Sequence, residues 1–232
     1  MPNERLIVFL EKSFKKINDG DILVITSKIV ALSEGRIIEK WDKKMKEAII
    51  RNESDVVISS GRSNLTIKDG VVAAAAGIDE SNAAGCLILL PKNSWVTAAR
   101  VRRHFINKLQ LKNLGVIISD SRSAPFKAGV TGVALGYAGF KGLKDYRRKI
   151  DIFGRPFHFS RVNVADSLAA AAVFVMGEGN EMCPLALISQ ADVEFSSRVN
   201  RAELKINSAD DMYAPLFHFL SKSRFDKDSG LN

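Results

Sequence analysis

Three charged residues stand at or just beyond the ends of apolar segments in this sequence. Lys28 follows an apolar run that begins at Ile22, Asp79 follows a run of small residues, and Asp120 ends the apolar run from Gly115. A lysine at a strand end is well placed to bind a phosphate group, although most such lysines are simply solvated. The aspartates either serve a chemistry that needs carboxylates or merely cap helices and turns.

Two stretches rich in small residues accompany these positions. Four consecutive alanines, 73–76, precede Gly77 and lead into the polar cluster at 79–82. Five glycines recur between positions 129 and 142, without the order of a known phosphate-binding loop. We therefore expect close backbone packing in both stretches.

The periodicity of apolar residues indicates the elements that must position these side chains. Helices are predicted for residues 6–17, 41–53, 95–109 and 165–177. Buried strands are predicted for residues 21–26, with 27–30 continuing the first one, and for 55–60, 86–90, 115–121 and 185–188. A further strand is predicted for residues 157–164. We expect one globular unit over residues 1–195, a charged C-terminal extension over 196–224 and a disordered tail over 225–232.

Composition limits the possible classes of protein. With 232 residues, 46% hydrophobic and 26% charged, the chain is long and apolar enough to fold around a core, which excludes disorder as the default. Cys86 and Cys183 have apolar neighbours and no metal-ligand spacing, so we expect buried thiols in a reducing compartment. We expect a cytoplasmic chain, since the N-terminal apolar run is too short for a signal peptide or a membrane span.

The net charge of +8 favours anionic partners but does not identify them. A nucleic-acid partner is not expected, because no aromatic residues interleave the basic ones and no recognisable nucleic-acid module is present. Charge thus leaves small anionic molecules as the expected partners.

Several segments together resemble the coenzyme F-420 gamma-glutamyl ligase family, which joins L-glutamate to a deazaflavin coenzyme precursor using GTP. The most specific are GDILVITSKIV at 20–30, AGIDESN at 76–82 and GVIISDS at 115–121. Shorter matches occur at 89–91, 145–147 and 166–172, so that the resemblance covers residues 19–190.

The resemblance implies an α+β fold of mixed and antiparallel sheets with packed helices, assembled as an intertwined homodimer. We place this interface at or beside the glycine-rich stretch and the helix at 165–177, with packing inside one chain as the alternative.

The resemblance also implies a set of site residues. It places Mn²⁺ or Mg²⁺ on Asp79, Asn82, Asp120 and Ser121, gives Asp79 and Asp120 catalytic roles, and assigns nucleotide contacts to Ser27 and Lys28. Carboxylate, amide and hydroxyl oxygens are indeed the hard ligands that these ions prefer.

The implied reaction forms an amide through an acyl phosphate made with GTP, although the residues alone do not decide between GTP and ATP. The expected small-molecule partners are the deazaflavin precursor, L-glutamate and the nucleotide. No nucleophilic serine or cysteine is required.

Some positions depart from the family pattern. Ala75 replaces an asparagine, Ala124 an arginine, with Arg122 displaced two positions, and Gly132 an aspartate. The sequence starts almost directly at its first predicted helix, so we expect the N-terminal strand and the proline-containing loop that touches the nucleotide in the family to be missing. We therefore expect weak or no activity with the family's own substrate, and the alternative is a non-catalytic paralogue that binds a nucleotide or a phosphorylated metabolite.

Overall fold

The computed structural model describes residues 6–59, 64–68, 71–207 and 210–215. The chain divides into two compact units, Met1–Arg201 and Ala202–Asn232. The described part of the second unit consists mainly of turns. The tail predicted for residues 225–232 lies outside the described residues.

The first unit contains all the named elements. Its helices are α1 (Leu6–Ser13), α2 (Ser27–Ser33), α3 (Lys43–Glu53), α4 (Ser94–Leu109) and α5 (Val164–Met176). Its strands are β1 (Ile22–Thr26), β2 (Ile37–Ile38), β3 (Val56–Ser59), β4 (Asn64–Lys68), β5 (Val71–Ala74), β6 (Leu87–Ile88), β7 (Gly115–Ser123), β8 (Val130–Ala138), β9 (Leu143–Asp145), β10 (Arg161–Asn163) and β11 (Leu185–Ile188).

The largest sheet has the strand order β11-β1-β7-β8. Strands β1 and β7 are parallel, with Ile22 opposite Gly115, whereas β1 pairs β11 and β7 pairs β8 in antiparallel fashion. Smaller antiparallel pairings join β3-β4-β5, β2-β6 and β9-β10. The α+β class with mixed and antiparallel sheets is confirmed, and the intertwined homodimer stays a prediction.

The core lies on both faces of this sheet, because successive strand residues point in opposite directions. Leu23, Ile25, Val116 and Ile118 pack on one face with residues of α1 and α4. The alternate residues Ile22, Val24 and Ile117 are also fully buried, and α5 contacts the strands on that side.

Three helices begin at polar caps that the sequence supplies. Asp42, Asn93 and Asn163 accept hydrogen bonds from backbone N–H groups in the first turns of α3, α4 and α5. Asp166 of α5 accepts a 2.8 Å bond from the backbone N–H of Ala134, beside an irregularity in the β7–β8 pairing. The start of α5 is thereby fixed to β8.

The glycine-rich stretch packs closely within the chain. A Cβ at Gly132 would lie 2.4 Å from the carbonyl oxygen of Ala169 in α5, and one at Gly136 would lie 2.6 Å from the backbone of Trp95 in α4. Close backbone packing is confirmed here, since neither helix could approach β8 as closely over a side chain.

A left-handed turn connects β5 to the polar cluster at 79–82. Ala75 and Ala76 have φ values of 46° and 57°, and Gly77 continues with 72°. Thr66 of β4 is buried beneath this turn and its hydroxyl accepts a hydrogen bond from the N–H of Ala76. The small residues at 75–77 therefore form a compact, strained turn that delivers Asp79.

Several local predictions are wrong. Residues 27–30 are helical and do not continue β1, because the chain turns into α2 directly at Ser27. The strand predicted for 55–60 is not buried, since it belongs to a small sheet and Val56 is 48% exposed. The strand predicted for 157–164 is confined to β10.

The predicted burial of the cysteines is also only partly correct. Both thiols are free, and Cys86 is partly buried, whereas Cys183 is exposed. Cys183 is exposed despite its apolar neighbours in the sequence, because it lies in the connection between α5 and β11.

Candidate functional site

Ser27 and Lys28, at the junction of β1 and α2, contact both predicted aspartates. The Ser27 hydroxyl donates a 3.0 Å hydrogen bond to Oδ1 of Asp120, and Lys28 Nζ lies 2.7 Å from Oδ2 of Asp79. Because β1 and β7 are parallel neighbours, the end of β1 brings Ser27 beside the end of the buried part of β7. Four of the predicted site residues thus form one continuous group.

Asp79 is held firmly from several directions. Its Oδ1 accepts 2.7 Å bonds from both the N–H and the hydroxyl of Ser81, and its backbone pairs with Ile88. Burial opposes its ionisation, but hydrogen bonds from Lys28 and Ser81 hold the pKa of Asp79 below its usual value. Asp79 is therefore a fixed anion at neutral pH.

Asp120 lies in a less favourable environment for a charge. Burial raises the pKa of its carboxyl to about 6, and the negative charge of Asp79 acts in the same direction. The Ser27 hydrogen bond, the charge of Arg122 and the N–H of Ser121 oppose this rise. A cation bound beside Asp120 would favour the charged form of its carboxyl and would lower its pKa again.

Asn82 and Ser121 take part in different ways. Asn82 donates from Nδ2 to the carbonyl of Gly179 at 2.8 Å, which joins the polar cluster to the connection after α5. Ser121 reaches Asp120 through its backbone N–H, whereas alternation along β7 directs its side chain to the opposite face, where Gly132 is its partner in β8. The side chains of Asp79, Asn82, Asp120 and Ser121 thus do not all face one point, as a metal site built from all four side chains would require.

The donor set fits a hard divalent cation. Asp79 and Asp120 influence each other electrostatically, and both contact the segment Ser27–Lys28. Oxygen ligands from two carboxylates with few protein partners are typical of Mg²⁺ and Mn²⁺, which retain several waters. Within the described residues, no group of three or more His, Cys, Asp or Glu side chains forms a metal cluster. Such an ion would therefore need amide, backbone or substrate oxygens as well.

The departures from the family pattern have different structural consequences. Ala124 is exposed, but Arg122 stands two positions from Asp120 on β7, on the same face, and its charge acts on Asp120. Arg122 therefore supplies a cation near the site despite the alanine at 124. At Gly132 the α5 backbone fills the space where a side chain would start, so the aspartate of the family pattern would not fit there.

A groove of about 330 Å³ lies between β8 and α5. Gly132, Val173, Phe174, Gly177 and Glu178 are among the residues that line it. The same connection continues to Gly179, whose carbonyl binds Asn82. The groove is therefore linked to the polar site by a short segment of chain.

Sequence reasoning missed two contributors to this site. The connection after α5 was interpreted only as a helix stop at Gly177, and Trp41 with Lys46 was assigned no role. Gly179 is 97 residues from Asn82 in the sequence, and no spacing signal could pair them. Contacts of this kind depend on tertiary structure alone.

Comparison with known proteins gives a consistent result. A family model described as F420-0:Gamma-glutamyl ligase matches residues 2–190. A curated coenzyme F420:L-glutamate ligase from Methanocaldococcus jannaschii is 37% identical, over 80% of this chain and 81% of its own length. A ligase of the same description from Methanococcus maripaludis strain C7 is 37% identical, with 84% and 85% covered. The one from Methanothermobacter thermautotrophicus is 36% identical, with 79% and 80% covered.

No helix in the described parts of the chain is long and apolar enough to cross a bilayer.

Proposed function

The chain belongs to the F420-0:gamma-glutamyl ligase family, and on that premise we propose that it joins L-glutamate by an amide bond to the carboxylate of a deazaflavin precursor, using GTP. The observation that carries the proposal is the contact of adjacent residues Ser27 and Lys28 with Asp120 and Asp79, respectively. Sites of phosphoryl transfer commonly use a lysine to bind phosphate oxygens and carboxylates to hold a metal ion, and one lysine and two carboxylates lie together here.

The proposed reaction has two steps. A carboxylate oxygen of the acceptor attacks the γ-phosphorus of GTP, which forms an acyl phosphate and releases GDP. The amine of glutamate then attacks the acyl carbon, so that the amide forms while phosphate and a proton leave. Little covalent chemistry is left for the protein, whose task is to bind, orient and balance charge.

Each residue has a defined role in this proposal. Lys28 would exchange its ion pair with Asp79 for the phosphate oxygens of the nucleotide, while Ser27 keeps Asp120 oriented through its hydroxyl. Arg122 would lie close enough to offset negative charge near Asp120. These roles require only short movements of side chains that already meet.

Asp79 and Asp120 would hold Mn²⁺ or Mg²⁺, with a further oxygen from Asn82. Ser121 would take part only through its backbone, because its side chain lies on the opposite face of β7. When bound, the ion would neutralise phosphate charge during transfer. The same ion would relieve the unfavourable burial that raises the pKa of Asp120.

Turnover of purified protein with GTP, Mn²⁺, L-glutamate and the deazaflavin precursor tests the proposal, with ATP in a parallel reaction. We expect glutamylated product together with GDP and phosphate, and loss of at least 10²-fold in rate for Asp120→Ala. Glu47→Ala changes an exposed carboxylate on α3 and serves as the control that retains activity. An Asp120→Ala protein as active as the Glu47→Ala protein would contradict the proposed site.

A non-catalytic paralogue that binds a nucleotide or a phosphorylated metabolite is the second candidate. It is favoured by Gly132, because α5 leaves no room there for the aspartate of the family pattern. Calorimetric binding of GTP with Mn²⁺, in the absence of any product over long incubation, would support this candidate. Absence of binding of both GTP and ATP would exclude the ligase and would leave a paralogue that binds another phosphorylated metabolite.

A further inference from the structure

The loop at residues 80–85 is attached at both ends to one neighbouring segment. Lys46 of α3 forms an ion pair with Glu80 at the start of the loop. The Trp41 indole N–H donates a 2.8 Å hydrogen bond to the carbonyl of Gly85 at its end. Lys46 Nζ also lies 5.6 Å from the centroid of the Trp41 ring, so the four groups form a closed series of contacts.

The backbone of this loop needs such attachment. Asn82 and Ala84 have φ values of 48° and 51°, a left-handed conformation that is unfavourable for alanine and less so for asparagine. Gly85 follows with φ of 82°. Strained conformations persist only where surrounding contacts fix them. The contacts from Trp41 and Lys46 fix both sides of this strained stretch.

The loop also carries one proposed metal ligand and directly follows another. Asn82 lies within it, and Asp79 precedes it. On its other side, Lys28 donates to the carbonyl of Ser81 at 2.9 Å. If Lys28 turns to a phosphate group during binding, this contact is given up. The contacts of Trp41 and Lys46 involve no group with a proposed role in binding, so they remain when the site is occupied.

We propose that Trp41 and Lys46 are positioning residues that brace the loop 80–85 and thereby set the affinity of Asp79 and Asn82 for the divalent cation. This inference rests on the proposed function. The contacts of Trp41 and Lys46 are with the loop and with each other. Each acts through the loop, as outer partners of metal ligands commonly do.

Binding of Mn²⁺ to the full chain, measured by calorimetry without nucleotide, tests the brace. Lys46→Met removes the charge but keeps an apolar stem over the indole ring, and Trp41→Phe removes the N–H donor without changing any charge. We expect each to weaken Mn²⁺ binding roughly tenfold. Lys46→Arg retains a cation for Glu80 and the ring, and should bind Mn²⁺ within about twofold of wild type.

Lys44→Met is the matched control, because Lys44 is exposed on the same helix and its loss changes the net charge equally. Hydrogen exchange of the metal-free protein gives a second readout, in which amides of the loop should exchange faster in Trp41→Phe than in the control.

Unchanged Mn²⁺ affinity in both Lys46→Met and Trp41→Phe would overturn the brace, as would equal weakening in Lys44→Met. A wild-type protein that binds no Mn²⁺ would overturn the proposed metal site and the brace together. The two failures are distinguishable, because in the first the wild-type protein still binds the ion.

Discussion

The buried carboxyl of Asp120 lowers the stability of the folded protein at neutral pH, and the same carboxyl is a proposed metal ligand. Its carboxyl is buried beside Asp79, and burial raises its pKa to about 6. The folded protein therefore holds a proton on Asp120 at pH values where the unfolded chain has lost it. Stability contributed by the neutral carboxyl is present below about pH 4 and is lost as the pH rises through about 6. At neutral pH the site is destabilised unless a cation binds.

Asp120→Asn should therefore stabilise the metal-free protein at pH 8. The difference between the ordinary carboxyl pKa of 3.8 and about 6 corresponds to roughly 3 kcal/mol at most. Asparagine keeps an acceptor for Ser27 without the charge. Thermal unfolding with a chelator present should show a higher Tm than wild type at pH 8 and a much smaller difference at pH 4.5. An equal difference at both values would show that burial of charge is not the cause.

Lys28 should affect metal and nucleotide in opposite directions. Its amine now occupies Oδ2 of Asp79, so Lys28→Met removes a competing cation and should tighten Mn²⁺ binding without nucleotide about fivefold. The same change should weaken GTP binding about tenfold or more, because the phosphate loses its lysine. Calorimetric titration with each ligand separately measures both effects. Weakened binding of both ligands would instead indicate that Lys28 mainly maintains the structure of the site.

At the scale of elements, the strained turn at 75–77 connects a small sheet to the site. Ala75 has φ of 46°, whereas its neighbour Ala74 has φ of −74°. Glycine and asparagine adopt the left-handed conformation at lower cost than alanine. The asparagine of the family pattern at this position thus has a conformational explanation, which is independent of chemistry.

Ala75→Gly and Ala75→Asn should each stabilise the protein by about 0.5–1 kcal/mol. Ala74→Gly is the matched control and should destabilise it by a similar amount, since it adds backbone freedom to a residue that is already relaxed. Urea unfolding of the three variants measures these differences. Destabilisation by both changes at position 75 would mean that the turn does not store the strain that its φ values indicate.

Helices and strands could be predicted from the sequence where a local pattern of apolar residues determines them. They were harder to predict where tertiary contacts determine the backbone conformation. Apolar periodicity predicted α3, α4 and α5, and the apolar run from Gly115 predicted β7 with Asp120 near its end. The change from strand to helix within residues 22–30 could not be predicted in this way. Both β1 and α2 contain buried residues, so the apolar run continues through the point where the backbone conformation changes. The link of Asn82 to Gly179 and the brace by Trp41 depend on segments far apart in sequence, which no local pattern encodes.

At the scale of the whole molecule, the net charge of +8 suits the proposed ligands, since GTP, the deazaflavin precursor and glutamate all carry carboxylate or phosphate groups. A positive field raises the rate at which such molecules arrive and falls with ionic strength. Specificity must come from the local site, where Lys28 pairs with Asp79 and Ser27 with Asp120.

Among the described residues, none covers the apolar outer face of helix α5. Phe174 is 88% exposed and Val175 is 74% exposed, next to the groove between α5 and β8. Exposed apolar patches of this kind are typical of interfaces between proteins. The buried face of α5 packs against β8, and glycines of β8 allow this close packing within one chain. The outer face of α5 therefore remains available for a second copy of the chain.

We therefore expect a homodimer that covers Phe174 and Val175. Light scattering at micromolar concentration should give twice the chain mass for wild type, and Phe174→Asp should shift the equilibrium to monomer, because a buried carboxylate without a partner is strongly unfavourable. Met45→Asp, which changes an exposed apolar residue on α3, is the control and should leave the dimer intact. A wild-type monomer at this concentration would show that the homodimer implied by the family resemblance is absent here. A dimer that resists Phe174→Asp would place the interface on another face of the chain.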